Sequence, residues 1–580
     1  MAVDPWTFPP EQTMPYPAAL PARFARLLAI ALGATWVILV PAAARAQQAA
    51  PPAGVPLAQH LMAASQFDSA ARVLERVVAS APDNGPAWLA LGRARRRLGE
   101  PAAALKAYEK AGAVPATRRP ATLQLFLLAA DAGPSDEAAR RLGEVRSMGF
   151  DFTTVIGNPE VAKLRGDKRF AVLFPDSTAF ASAFDEKVRV IHEWRGEVVG
   201  GEFGWIARSV GDVDGDRVND VTVSAPANPP AGNGRGEVFV YSGRSGRQLW
   251  RQAGDSAARL GFALEAAGDV NRDGIPDVVA GAPGILAVIV YSGRDGAELL
   301  RLRGDSADQG FGNSASGIGD FNGDGHADIV AGAPASTASG APTGRVYVFS
   351  GKDGRRLFTL DGETPNGGFG SAVAGADGKY LLIGEVGGGP QQRGRVYVYD
   401  RLTATPRFVK DADETGAAFG GMFLSVVGDV NADGTQDIFV SDFPNSAKGP
   451  STGRGYVFSG RDGTPVLVST GETAGEGFGV GAARTGDVNR DGHDDIVVGA
   501  WQHQAKAWSG GRIVVVSGKD GSTLRTMTGT VPGETLGFDA VGIGDVDGDG
   551  NIDFLVTSAW SLVNGYRTGR TWVVAGEPSR

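Results

Sequence analysis

The distribution of apolar and polar residues changes character along the 580-residue chain. Arg23 and Arg26 precede an uncharged run from Leu27 to Ala44. From about Leu57 to Pro175, apolar residues recur at three- and four-residue intervals, the period of helices packed on one face. From about Lys187 onward they fall in short runs of strand length bounded by glycine-rich turns. Some runs are continuous, as in DIVVGA from Asp495 to Ala500, and others alternate, as in GRVYVFSG from Gly344 to Gly351.

The strand pattern is itself periodic, with a repeat of roughly 50 to 60 residues. Each unit has a Phe-Gly mark, a loop, an apolar strand ending in Gly-Ala-Pro or a variant, an alternating strand, and a glycine hairpin into a fourth strand. The marks are Phe203, Phe262, Phe311, Phe369, Phe419, Phe478 and Phe538, although Phe262 precedes Ala263 and Phe538 precedes Asp539. A lone four-stranded sheet with two apolar faces is not stable, whereas radial packing around an axis buries those faces. The prediction is a mostly β fold over residues 187–580, a seven-bladed propeller. The last copy, GRTWVVAGEPSR, stops after a third strand. Residues 188–196, VRVIHEWRG, stand before the first Phe-Gly at the spacing that fourth strands keep elsewhere, as from Gly304 to Phe311. They are expected to close the ring as the outer strand of blade seven.

Six of the seven units carry an acidic loop after the first strand, with oxygen-bearing side chains at positions 1, 3, 5 and 9. These are Asp212, Asp214, Asp216 and Asp220 in the first unit, Asp269, Asn271, Asp273 and Asp277 in the second, and Asp320, Asn322, Asp324 and Asp328 in the third. The later ones are Asp429, Asn431, Asp433 and Asp437, then Asp487, Asn489, Asp491 and Asp495, and finally Asp545, Asp547, Asp549 and Asp553. A tight loop brings such positions to one point, a glycine such as Gly492 permits the turn, and the carbonyl of position 7 adds an oxygen. Six or seven oxygens suit Ca2+ better than Mg2+, so about six structural Ca2+ sites are expected. In the fourth unit Asp377-Gly378 joins two strands directly as a tight hairpin, which predicts a blade without metal. In the first unit Arg217 replaces the loop glycine, a departure that bears on that site's geometry.

In this order, F-G, D-x-D/N-x-D-G-x-x-D and G-A-P resemble the FG-GAP repeats of integrin alpha-subunit propellers. The resemblance implies that ligand recognition lies on the face opposite the acidic loops, where the loops between strands two and three are long and varied. Trp501, His503, Trp508, Trp560 and Tyr566 cluster in two of these loops, near Lys506 and Arg567. As exposed aromatics they would suit a protein or carbohydrate ligand. Equally, Trp501 and Trp560, standing where sibling units have the proline of Gly-Ala-Pro, would plug a blade interface.

Residues 57–175 resemble tetratricopeptide repeats. Trp88, Leu91, Gly92, Ala104, Tyr108, Ala111 and Pro115 follow that pattern; one 34-residue period earlier stand Ala70, Leu74, Val77 and Pro82, and one later Leu125, Ala138, Leu142 and Val145. Three helical hairpins and a capping helix ending at Pro175 are expected, with a surface for a peptide or protein. The cluster Arg93, Arg95, Arg96 and Arg97 reads as a solvated helix face, and no nucleic-acid partner is expected.

Residues 1–46 read as a signal peptide ending at Ala44-Arg45-Ala46, or, if uncleaved, as a membrane anchor; Met1 and Met14 are both candidate starts, and residues 47–56 form a Pro/Ala-rich linker. Export to the periplasm, cell surface or medium follows, with membrane contact only through an uncleaved segment. The chain has no cysteine, so thiol catalysis and Cys-based zinc sites are excluded. The net charge of -9 reflects the loops, where many of the 65 Asp and Glu stand.

The reading that results is a secreted or envelope-associated, calcium-binding, non-catalytic interaction or adhesion module. Two others stand beside it: an extracellular hydrolase or lyase acting on phospholipid or polysaccharide, and an envelope assembly scaffold. Of five histidines only His503 lies on the proposed functional face, with no evident catalytic partner in the sequence.

Overall fold

A computed structural model describes residues 54–228, 234–401 and 403–576. The segment read as signal peptide or anchor, most of the linker, and residues 229–233 of the first long loop lie outside the described residues. Among the described residues no helix is long and apolar enough to cross a membrane. The described chain forms two compact units, divided between Pro175 and Asp176.

The first unit is helical: α1 Val55–Ala63, α2 Phe67–Ser80, α3 Gly85–Arg97, α4 Pro101–Ala113, α5 Pro115–Asp131, α6 Asp136–Ser147 and the short α7 Phe152–Ile156. The first six pair as three antiparallel hairpins. Asn84 and Ser135 cap α3 and α6, their side-chain oxygens accepting the N–H of Ala87 and Ala138. Gly92 lets α3 meet α4 closely, since a Cβ there would lie 2.4 Å from the Tyr108 ring, which is fully buried. Burial pushes the Tyr108 phenol up to about 12. Trp88 sits at the rim, half-buried, its indole N–H donating to the Pro82 carbonyl at 2.7 Å. The expected capping helix is replaced by two 3-10 turns, Pro159–Leu164 and Lys168–Leu173, because Pro159 and Gly166 divide the segment.

The second unit is a ring of seven four-stranded antiparallel sheets. In blade one the strands run in order from Ala207–Gly211 through Asp220–Ala225 and Glu237–Tyr241 to Gln248–Ala253. The first strands of successive blades pack against one another around the axis, and that of blade seven packs back on blade one. Second strands such as Asp220–Ala225 and Asp328–Ala333 are buried at every position, the reason they read as continuous apolar runs.

Blade seven takes its outer strand from the beginning of the propeller segment: Val190–Arg195 pairs antiparallel with Arg570–Val574. The closure extends beyond that strand. Asp185 N–H donates to the Thr528 carbonyl at 2.8 Å, Thr530 N–H donates to Ala183, and the Glu186 carboxylate accepts from Thr528, so residues 183–186 are strapped across the end of blade six. Arg570 joins the parts, donating to Glu193 on the closing strand at 2.9 Å and to the Phe180 carbonyl at 2.9 Å.

The parallel bridges between blades fix the true register of the Phe-Gly element. Gly344 pairs with Phe369, Gly394 with Phe419 and Gly453 with Phe478, but in blades two and seven the partners are Leu260 and Leu536. The marks there are therefore Leu260-Gly261 and Leu536-Gly537, and Phe262 and Phe538 stand two residues further on. The glycine is the fixed member: Gly261 and Gly537 have φ of 84° and 86°, like Gly312 at 86°. In blades one, three, four and five the aromatic packs edge-on against its blade's third strand, as Phe311 does on Tyr347 at 5.6 Å.

Candidate metal centres and the channel mouth

In six blades the first strand ends in an acidic loop, and the loop returns through the position-9 aspartate into the second strand. That aspartate is buried in all six loops. Asp277 accepts the N–H of Val270 in its own loop at 2.8 Å and of Gly293 in the hairpin between strands three and four at 3.0 Å. Asp220 does the same with Val213 and Gly243, and Asp328 with Phe321 and Gly351. Position 9 thus fastens loop to hairpin and places both on one end of the ring. Burial pushes the Asp220, Asp277 and Asp437 carboxyls up to about 6, against the pull of their backbone donors.

Position 1 shapes the loop. Asp269 accepts from Asp273 N–H at 3.1 Å and Gly274 N–H at 3.0 Å; Asn271 accepts from Asp273 N–H, and Asp273 from Ile275 N–H, each at 2.9 Å. Each carboxylate uses part of its acceptor capacity on the backbone and keeps further lone pairs. In blade one, oxygens of Asp212, Asp214 and Asp220 lie within 4.8 Å of one another, and in blade seven so do those of Asp545, Asp547 and Asp549. The donor set is all oxygen and strongly anionic, which fits a hard divalent cation. Arg217 does not disturb the first loop: it adopts φ of 69°, close to Gly274 at 81°, and its N–H donates to Asp212 at 2.7 Å. In blade four the strands Phe369–Ala376 and Tyr380–Glu385 are joined by three residues, Asp377, Gly378 and Lys379, the first two with φ of 50° and 66°, a tight turn with no acidic loop.

The opposite end is set by the residues that follow each Phe-Gly. Trp205, Phe262, Asn313, Ser371 and Gly421 occupy equivalent places and line a cavity of about 100 Å³ at the mouth of the central channel, with Met422 beside them. Arg208 and Glu265 also line the cavity, and Arg208 bridges Asp539 and Glu265, at 2.5 Å from the latter. Burial pushes the Glu265 carboxyl up while Arg208 pulls it back. One wall is aromatic and the other small and polar, over a cluster with one carboxylate more than its cations.

The structure does not present Trp501, Trp508, Trp560 and His503 as an exposed patch. Their relative exposures are 2%, 1%, 0% and 4%. Trp501 packs edge-on against Trp560 at 4.6 Å and against Phe538 at 5.6 Å, so the two tryptophans plug the junction of blades six and seven. His503 is spent on Glu476, with Nδ1 2.9 Å from the carboxylate. Tyr566 is half-buried beside Arg567, whose guanidinium lies 4.2 Å from the Trp560 ring. Lys506 pairs with Asp185 at 2.9 Å. Sequence reasoning missed the mouth residues; the signal for them was the position after each Phe-Gly, which correct marks in blades two and seven would have exposed.

Comparison with known proteins agrees with this architecture. The FG-GAP repeat family model matches residues 263–294 and 311–349, an FG-GAP-like repeat model matches residues 429–498, and a tetratricopeptide repeat model matches residues 55–116. Integrin alpha-5 of Xenopus laevis is 30% identical over 218 residues, covering 33% of this chain and 20% of that protein. Integrin alpha-PS3 of Drosophila melanogaster is 39% identical over 111 residues, 18% of this chain and 10% of its own length. Human integrin alpha-IIb is 39% identical over 90 residues, 14% of this chain and 8% of its own length. The chain thus spans a fifth or less of these relatives. It carries FG-GAP repeats in a seven-bladed propeller, preceded by a tetratricopeptide-type helical region.

Proposed function

We propose that this FG-GAP propeller is an exported, non-catalytic interaction module of adhesion type, held rigid by Ca2+ in its six acidic loops and recognising a protein or carbohydrate ligand at the channel mouth. The observation that carries the reading is the separation of its two ends. Every acidic loop stands where a first strand finishes, while the cavity lined by Trp205, Phe262 and Met422 stands where first strands begin. A cation bound by positions 1, 3, 5 and 9 would neutralise carboxylates that otherwise repel. It would contribute about 2.7 kcal/mol per site at a hundredfold excess over Kd. The burial of His503 against Glu476 supports the non-catalytic reading, since the one histidine on that face is withdrawn from any substrate. The helical unit offers a second surface for a peptide or protein.

Thermal melting with calcium and with chelator tests the cation, and Phe262→Ser with Met422→Ser tests the mouth. Chelation is expected to lower the propeller's melting temperature by more than 10 °C, on the order expected for several filled sites. The double variant is expected to keep that melt and lose calcium-dependent capture of ligand from the native envelope or medium. A melting temperature indifferent to chelator removes the cation from the reading, and undiminished capture by the variant removes the mouth.

A further inference from the structure

The acidic loops are not left bare by the protein's own cations. In five blades the residue after the hairpin glycine is basic: Arg244, Arg294, Lys352, Arg461 and Lys519. Three of these touch position 5 of their loop, Arg244 on Asp216 at 3.0 Å, Arg294 on Asp273 at 3.5 Å and Arg461 on Asp433 at 3.4 Å. Blade seven breaks the pattern, because Glu577 follows Gly576 in the sequence. There the basic group comes from the start of the propeller segment. Arg189 lies immediately before the closing strand; its carbonyl accepts the N–H of Ala575 at 2.9 Å, and its guanidinium bridges Asp547 and Asp549, at 2.7 Å from the latter.

We propose that Arg189 is a resident cation for the blade-seven loop, holding it to the closing strand when no metal is bound and weakening its uptake of a divalent cation. The inference rests on the reading of the acidic loops as cation sites and adds the regulation of one of them. Two chemical facts carry it. A guanidinium on two carboxylates offsets part of the repulsion that a metal would otherwise relieve, so less is gained when the metal arrives. In blades one, two and five the basic group on the loop comes from the same blade, whereas the Arg189 contact joins the first and last segments of the propeller. Loop charge and ring closure are therefore coupled at one residue.

The test compares the full chain with its Arg189→Gln and Arg244→Gln variants, by melting in chelator and by amide hydrogen exchange of residues 544–553 across a calcium titration. Arg189→Gln is expected to melt about 1–2 °C lower in chelator, the scale of one exposed ion pair. It is expected to protect residues 544–553 at a calcium concentration about two- to fivefold lower, and to melt with wild type when calcium is saturating. Arg244→Gln, whose contact stays within blade one, leaves the protection midpoint of residues 544–553 unchanged. If Arg189→Gln leaves both the chelated melt and that midpoint at their wild-type values, or moves the midpoint upward, the inference is overturned. A wild-type protein that gains no protection from calcium overturns the cation reading together with it, whereas a responsive wild type beside an indifferent variant overturns this inference alone.

Discussion

Blades three and four share four strands, their order, a Phe-Gly entry and an aromatic packed edge-on within the blade, Phe311 on Tyr347 and Phe369 on Tyr397. They differ in how the first strand turns into the second. Blade three makes a loop whose Asp328 gathers three N–H groups, from Phe321 and Asn322 at 2.9 Å and Gly351 at 3.0 Å. Blade four turns on three residues and leans on its neighbour: Gly378 N–H donates to the Ile318 carbonyl at 2.8 Å, and Arg401 donates to the Phe321 carbonyl at 2.7 Å. The blade fold therefore does not require the acidic loop. Where the loop exists, however, its carboxylates have become the backbone's hydrogen-bond partners, and the blade depends on them.

That dependence is open to direct attack. Asp328→Ala orphans three N–H groups at once, two of them buried, and is expected to cost about 2–3 kcal/mol even in chelator, at roughly 1 kcal/mol or more for each buried unmet group. The counterpart in blade four, Asp377→Asn, keeps a residue that tolerates positive φ and is expected to cost less than about 0.5 kcal/mol. Urea denaturation of the two variants reads the contrast. Equal losses would mean that the loop carboxylate is not a fastening and that the two blades are held alike.

A smaller effect follows from the protonation of position 9. The Asp277 carboxyl is raised to about 6 in the folded protein, above the ordinary value near 3.9 that it keeps when unfolded. A raised carboxyl binds its proton more tightly in the folded state, so its contribution is greatest below about pH 4 and declines as pH rises to about 6. In chelator, Asp277→Asn should therefore be more damaging at pH 4 than at pH 7. With calcium bound the carboxylate is required in its ionised form, and the order should invert. Melting of wild type and variant at both pH values, with and without calcium, decides it; the absence of any inversion would detach position 9 from the cation. Blade four has no such group, and its turn variant should show neither trend.

The count of blades was legible because the repeat writes the same strand pattern seven times, and the missing loop of blade four because Asp-Gly between apolar runs has a local meaning. What the sequence concealed was non-local. Phe262 and Phe538 drew the Phe-Gly mark away from Leu260 and Leu536, since only the bridges to Gly236 and Gly511 show which residue holds that place. Of the two readings of Trp501 and Trp560 the sequence could not choose the plug, because the partners that bury them lie on different blades, and Trp508 read as surface because its loop is long and polar, yet it is 1% exposed. The strap at residues 183–186 left no motif, because its hydrogen bonds, two by backbone and the rest by the Glu186 carboxylate, reach residues hundreds of positions away.

Arg217 sharpens the comparison most finely, because it tests whether loop shape in blade one is imposed by the carboxylates or by the residue at position 6. The other five loops have glycine there, from Gly274 at φ of 81° to Gly492 at 88°, and Arg217 follows them at 69°. A non-glycine residue in the left-handed region costs about 1–2 kcal/mol, so the Arg217 backbone is held there by what surrounds it. The Asp212 carboxylate is positioned to do so, since it takes the N–H of Gly215 and of Arg217, each at 2.7 Å. Arg217→Gly relieves that strain but adds freedom to the unfolded chain, so the net gain is expected to be only about 0.5 kcal/mol. Paired with Asp212→Ala the glycine should gain nothing further, because the loop would no longer be drawn into that shape. Should Arg217→Gly stabilise the protein equally with and without Asp212, the shape belongs to the backbone alone, and the loop of blade one is closer in kind to the plain turn of blade four than its acidic sequence implies.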